Sequence, residues 1–352
     1  MNGLPMLQVV TEGVGLVAVR DVPAPAGPGP GEVLLAIERV GICGSDAHIY
    51  DGSHPYLGYP VIQGHEIVGV VGALGENITV SIHVGDRVVV EPADPCRSCV
   101  ACRRGRSNCC VNLRVLGVTR PGGLSECLAV AAVMVHPVGD LHPDAAVLVE
   151  PLAVALHCVD RADVAERDTV LILGCGSIGR AAVLAAHSRG ARVIVADNSA
   201  GRCALGVRLG ADATVGLAEG DLAAAVAEFT NGDGCTVAID TTGSGALLRA
   251  SLDLVAYSGS VVVVGISEED LNVPVALLSR KEISVLGSRN SSQGAFPRAI
   301  ELAKANSDAL RSTITDRFVL EDAGQAIRAV AGGTSTGKVV VEVKAMARSR
   351  EG

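Results

Sequence analysis

The stretch CRSCVACRRGRSNCC, residues 96 to 110, holds five of the chain's eleven cysteines. Two residues separate Cys96 from Cys99 and Cys99 from Cys102, and seven separate Cys102 from Cys110. Cys-x-x-Cys steps let thiolates converge on one small cation, and zinc takes four such ligands tetrahedrally. Four protein ligands leave no open position, so this site is structural; reduced loop cysteines and a redox switch are the weaker readings. Cys109, next to Cys110, points away from its neighbour and is a bystander. A second group has different chemistry. GICGSDAHIY carries Cys43, Ser45, Asp46 and His48, and GHE carries His65 and Glu66. Both segments read as glycine-flanked turns. Cys43 and His65 together can hold a zinc with a position left open for a reactant.

A third group binds phosphate. LILGCGSIGRAAVLAA places Gly174, Gly176 and Gly179 as G-x-G-x-x-G between a strand and a helix. The first glycine permits the tight turn, the second lets backbone approach a pyrophosphate, and the third lets helix and strand pack closely. Asp197 ends the next strand, RVIVAD, eighteen residues after Gly179. A carboxylate there accepts hydrogen bonds from the ribose hydroxyls and repels a 2′-phosphate, which favours NAD over NADP. Ser177, Ile178 and Gly265 complete the expected cofactor contacts. Arg202 reads equally as a flank to the adenine and as a solvated helix residue.

The elements that position these groups come in two textures. Residues 1 to about 150 are rich in Gly, Pro and short Val/Ile runs, the pattern of an irregular all-β domain. From about Asp168, strands (TVLILG, RVIVAD, TVAID, SVVVVG, EISVLGS) alternate with helices, the pattern of a doubly wound parallel sheet. The tail from about 291 reads as two helices and a strand that return to the first domain. The fold class is therefore α/β, with one domain over residues 1–152 and 291–352 and a Rossmann NAD-binding domain over 153–290.

Composition narrows the function. The chain has 352 residues, no Trp, four Tyr and three Phe, so its core is aliphatic. A net charge of −9, from 29 basic and 38 acidic side chains, argues against nucleic-acid and anionic-membrane partners. The N-terminal MNGLPMLQVVTEG has no basic segment followed by an apolar core, and no apolar run reaches membrane-spanning length. A cytoplasmic protein is expected, where disulfides are rare.

With these motifs in this order, the chain resembles the zinc-containing medium-chain dehydrogenases, the alcohol, sorbitol and threonine dehydrogenase superfamily. GHEIVGVVGALGENI matches the family's zinc signature through Gly64, His65, Glu66, Gly69 and Gly75, and CGSD, the cysteine lobe and GCGSIG follow in the family's order. The resemblance implies a GroES-like first domain, a structural zinc on Cys96, Cys99, Cys102 and Cys110, and a catalytic zinc on Cys43 and His65, with Asp46 orienting the histidine. The alcohol dehydrogenases of the superfamily take a second cysteine as third ligand. Here that point holds Glu150, in LVEPLAVALHC, as in the polyol-type branch. Glu66 and Glu150 are both candidate ligands, and Cys158 reads as helix core. Ser45 is placed to accept the substrate proton and His48 to pass it on.

The implied reaction is zinc-assisted hydride transfer between NAD and a secondary alcohol. HIY…GYPVIQGHE and GSRNSSQGAFPRAIEL further resemble bacterial sugar-acid and polyol dehydrogenases of the galactonate or gulonate oxidoreductase type. A pocket with Ser45, His48 and Tyr50 on one side and Arg289 and Asn290 on the other suits a polyhydroxylated substrate: a polyol, sugar acid or cyclitol. Arg289 reads equally as a partner for a substrate carboxylate and as a cofactor or solvent contact. Two other readings stand beside this one: an amino-alcohol dehydrogenase of the threonine 3-dehydrogenase type, and a zinc-stabilised NAD sensor without turnover. A homodimer or homotetramer is expected.

Overall fold

The computed structural model describes residues 5–55, 58–218 and 220–344. The chain divides into two compact units, one running up to Glu150 and resuming at Phe296, the other spanning Pro151–Ala295. A hairpin of β1 (Pro5–Gly13) and β2 (Leu16–Pro23) precedes β3 (Glu32–Ile42), α1 (Gly44–Asp51), β4 (Glu66–Leu74) and β5 (Arg87–Val90). The cysteine-rich stretch contributes short pieces: β6 (Ala93–Asp94), α2 (Val100–Arg103) and β7 (Arg114–Val115). Then come β8 (Cys127–Ala131), β9 (Val135–Pro137), α3 (Pro143–Ala146) and α4 (Val149–Arg161).

The second unit alternates β10 (Thr169–Leu173), α5 (Ser177–His187), β11 (Arg192–Asp197), α6 (Ala200–Arg208), β12 (Ala213–Gly216) and α7 (Leu222–Phe229). It continues through β13 (Cys235–Asp240), α8 (Gly245–Leu254), β14 (Val255–Val263), α9 (Val275–Lys281) and β15 (Ser284–Gly287). Its six strands lie in the order β12-β11-β10-β13-β14-β15, all neighbours parallel. Val170 to Leu173 and Val237 to Asp240 are buried along their whole length, because helices cover both faces of such a sheet. The order reverses beside β10, so the turn after β10 lies at the carboxyl-end crevice where doubly wound sheets bind ligands.

The tail returns as α10 (Ala295–Ala305), α11 (Ser307–Arg311), β16 (Ile314–Val319), α12 (Ala323–Ala331) and β17 (Lys338–Glu342). The first unit's seven-stranded sheet runs β16-β17-β3-β4-β5-β9, with β8 also on β3. The long β3 is its organiser. Its far end, Arg39–Ile42, pairs antiparallel with β17, and its near end, Glu32–Ala36, with β8. Ala323, Ala326 and Ile327 of α12 fill the same core as Val33, Leu35 and Ile37. The tail therefore supplies both a strand and core volume to the unit the N-terminal half begins. Among the described residues, no helix is long and apolar enough to cross a membrane.

Candidate active site and metal centres

Cys43 sits between β3 and α1 as the helix N-cap, and its backbone N–H donates to Asp46 Oδ2 at 2.8 Å. The turn expected over CGSDAHIY is thus a helix. Asp46 caps its first turn from inside, and left-handed Gly52 ends it. Fully buried Asp46 also accepts from Gly64 N at 3.3 Å and Gln63 Nε2 at 3.2 Å, and Gln63 Oε1 accepts from Thr11 Oγ1 at 2.5 Å. These bonds lock α1 against the segment that delivers His65 and Glu66. Ser45 Oγ lies 3.5 Å from His65 Nε2. Asp46 Oδ1 stands 3.9 Å from His65 Nδ1, at ion-pair range, while its hydrogen bonds go to residues 43, 63 and 64.

A thiolate, an imidazole and a carboxylate converge here: ligand atoms of Cys43, His65 and Glu66 all lie within 4.8 Å of one another. His65 Nδ1 is buried without a hydrogen-bond partner, while Glu66 Oε2 makes no hydrogen bond but ion-pairs with Lys338 Nζ. Orphaned buried polar atoms are costly in a folded protein, and a cation beside them removes that cost. The donor set therefore fits a zinc ion with an open position. Burial pulls the His65 imidazole down, but Asp46 and Cys43 outweigh it and carry its pKa well above 6.5. Glu150 is outside the three-residue cluster. Burial pushes its carboxyl up to about 7, opposed by His65 and reinforced by Glu66.

The sequence reading missed Lys338. Its Nζ donates to Glu66 Oε1 at 2.5 Å and to the Ile42 carbonyl at 2.9 Å, and the side chain is 1% exposed. A lysine at the start of GKVVVEV reads as a solvated strand end, since lysines are almost never fully buried unless paired. Gly41 was the faint signal. A Cβ there would come within 1.9 Å of Glu66 Oε2 and 2.8 Å of Lys338 Cε, so only glycine leaves room for the pair.

In the lobe, the sulfurs of Cys96, Cys99, Cys102 and Cys110 also lie within 4.8 Å of one another, whereas Cys109 is exposed. The Ser98 backbone N–H and hydroxyl pull the Cys96 thiol down to about 5. Cys102 is pushed up to about 12, by burial and then by Cys99. Four thiols this close resist ionising together unless a dication joins them, and this donor set fits a closed tetrahedral zinc site.

The glycine turn meets its three requirements separately. Gly174 is left-handed at φ 87°, a Cβ on Gly179 would come within 1.9 Å of the Gly174 carbonyl, and a Cβ on Gly176 would meet nothing within 4 Å. The middle position is thus open to a ligand, at the N-cap of α5 with Ser177 and Ile178 beginning the helix. Asp197 is oriented by Cys175 N at 2.7 Å and Ser199 N at 2.8 Å, and Arg202 Nη1 lies 4.0 Å from it. Gly265 allows close approach to the Gly243 backbone. Among the substrate candidates, Tyr50 packs against the first unit's core, Arg289 is exposed, and Asn290 is half-buried in a left-handed conformation.

Residues 29–140 match the alcohol dehydrogenase GroES-like domain family and residues 177–305 the zinc-binding dehydrogenase family. The chain belongs to the zinc-binding alcohol dehydrogenases. It is 36% identical over 300 residues to L-galactonate-5-dehydrogenase of Escherichia coli K12, covering 85% of this chain and 87% of that one. A solved alcohol dehydrogenase of E. coli CFT073, complexed with NADH, superposes with a TM-score of 0.88 at 30% identity, over 97% of this chain and all of that one. A zinc-binding dehydrogenase of Sinorhizobium meliloti 1021 bound to NADP does so with a TM-score of 0.88 at 32% identity, over 96% and 99%. This dehydrogenase is thus an oxidoreductase with a GroES-like domain and a parallel-sheet Rossmann domain.

Proposed function

We propose that this dehydrogenase oxidises a secondary alcohol of a polyol, sugar acid or cyclitol to a ketone, with NAD as hydride acceptor. The observation that carries the reading is the convergence of Cys43, His65 and Glu66 in a chain that also has the open Gly176 turn. Cys43, His65 and Glu66 hold the catalytic zinc, with Glu150 in reserve, and the four lobe cysteines hold a structural one. Gly174, Gly176, Ser177, Ile178, Gly179, Asp197, Arg202 and Gly265 hold the dinucleotide. Zinc supplies Lewis acidity toward an alcohol hydroxyl, and NAD supplies the hydride acceptor.

The chain's own side chains manage the proton. Ser45, whose Oγ faces His65 Nε2, accepts it from the substrate hydroxyl, and His48 takes it from Ser45. Similarity to an enzyme named for galactonate, a polyhydroxylated acid, supports the substrate class. Hydrogen-bonding groups in such a site reject substrates that leave them unpaired.

The test is an NAD-reduction screen over polyols, aldonates, cyclitols and L-threonine, run with a zinc count. Turnover on a polyhydroxylated secondary alcohol with two zinc ions per chain is expected. L-threonine as the best substrate, or metal in the lobe alone with no turnover, overturns the reading. Parallel kinetics with NADP test the cofactor: equal or better efficiency with NADP removes the role given to Asp197.

A further inference from the structure

We propose that Asp51 and Ser53 are positioning residues that hold His48 as its Nδ1–H tautomer and leave Nε2 as the proton acceptor beyond Ser45. The tautomer is argued from geometry alone; its consequence for turnover rests on the alcohol-oxidation reading above.

The hydrogen-bond directions follow from which groups have protons to give. Just past α1, left-handed Gly52 turns the chain so that Ser53 N donates to Asp51 Oδ1 at 2.9 Å and Ser53 Oγ donates to the same oxygen at 2.6 Å. An ionised carboxylate only accepts, so the serine hydroxyl must be the donor there. A hydroxyl has one proton. With that proton committed to Asp51, Ser53 Oγ can only accept from His48 Nδ1, 2.8 Å away. Nδ1 therefore carries the hydrogen, and in the neutral ring the lone pair lies on Nε2.

This matters because of where His48 stands. Ser45 and His48 are three residues apart on α1, hence neighbours on one helix face. As the Ser45 O–H bond breaks, an Nε2–H bond forms, and Ser45 regains a proton from the substrate hydroxyl. The resulting imidazolium faces Asp51 through Ser53. It also lies in the last turn of α1, where the helix dipole favours a cation. His48 then releases the proton to water. No oxidant or further reactant enters this step. The opposite tautomer presents N–H toward the path and cannot accept.

The experiment is ¹⁵N-histidine NMR on the intact protein, with the His48 signals among the eight histidines assigned by their loss in His48→Gln. The wild type should show Nδ1–H. In Asp51→Ala the Ser53 hydroxyl loses its acceptor, the serine proton can turn to Nδ1, and the tautomer should flip to Nε2–H. The same variant should lose about tenfold in kcat with KM unchanged, and should lose nothing further in a His48→Gln background. An Nε2–H wild type, an unflipped Asp51→Ala, or an equal loss of kcat without His48 overturns the proposal. If the tautomers behave as expected but no alcohol is oxidised, the functional reading fails and the tautomer assignment stands.

Discussion

At the scale of single residues, the candidate site was legible and the lysine paired with its carboxylate was not. Cys43, His65 and Glu66 lie in short glycine-bounded motifs whose residue types announce metal chemistry. Lys338 reaches Glu66 from 272 positions away, and nothing local marks it. The pair makes a prediction. Lys338→Met leaves Glu66 as a buried carboxylate without its ammonium, a change that costs about 3–5 kcal/mol. Urea denaturation should show that loss, and Lys338→Met with Glu66→Gln should recover much of it; an unchanged midpoint in the single variant refutes the argument. Glu150 yields a pH prediction for the metal-free protein. Its carboxyl is raised from 4.5 to about 7, chiefly by burial. A raised carboxyl gives stability that is full below its unfolded value and lost as pH rises through the folded one. Metal-free protein should therefore weaken between about pH 4.5 and pH 7, and Glu150→Gln should flatten that slope. Thermal melts across this window check the sign.

At the scale of elements, periodicity served the second unit well and the first poorly. The buried parallel strand β10 shows as an unbroken apolar run from Val170 to Leu173 because both its faces are covered. α1 has no such pattern, being only eight residues long. Its helix is fixed by Asp46 bonding locally to Cys43 and also to Gln63 and Gly64, the latter two contacts existing only after the chain folds. The cysteine lobe is the extreme case. Between Ala93 and Val115 its strands are two residues each and its α-helix four. So little regular structure buries little, and on the structural-zinc reading proposed above the metal provides much of the folding energy. Cys99→Ser should drop the zinc content by one per chain and lower the Tm by several degrees, with proteolysis appearing first within residues 96–115. Unchanged zinc and Tm would show that the lobe stands without metal.

At the scale of the whole molecule, strand–helix alternation revealed the doubly wound sheet, and a trailing strand after two helices suggested a return to the first domain. The clasp that secures this return was invisible, because it gathers ordinary charges from four distant points. Buried Asp144 takes Arg317 through both oxygens, at 3.1 and 2.7 Å, and Arg39 Nε at 3.3 Å; Arg317 also bonds Glu342 at 3.0 Å. The central strand β3, α3 and the tail strands β16 and β17 are thereby joined. Burial alone would raise the Asp144 pKa, but the Arg317 and Arg39 guanidiniums outweigh it and hold the carboxyl below 3.8. A depressed carboxyl contributes stability that is present above its unfolded pKa and lost as pH falls through the folded value. Asp144→Asn should therefore cost about 2 kcal/mol at neutral pH, and the gap from wild type should close below about pH 4. The arginines are partly exposed and can rehydrate, which keeps the loss smaller than that at Lys338. Hydrogen exchange locates the effect. Amides of β16 and β17 and their partners on β3 should lose protection in Asp144→Asn while those of β10 and β13 keep theirs, and uniform loss across both units would show that the clasp is not local to the returning tail.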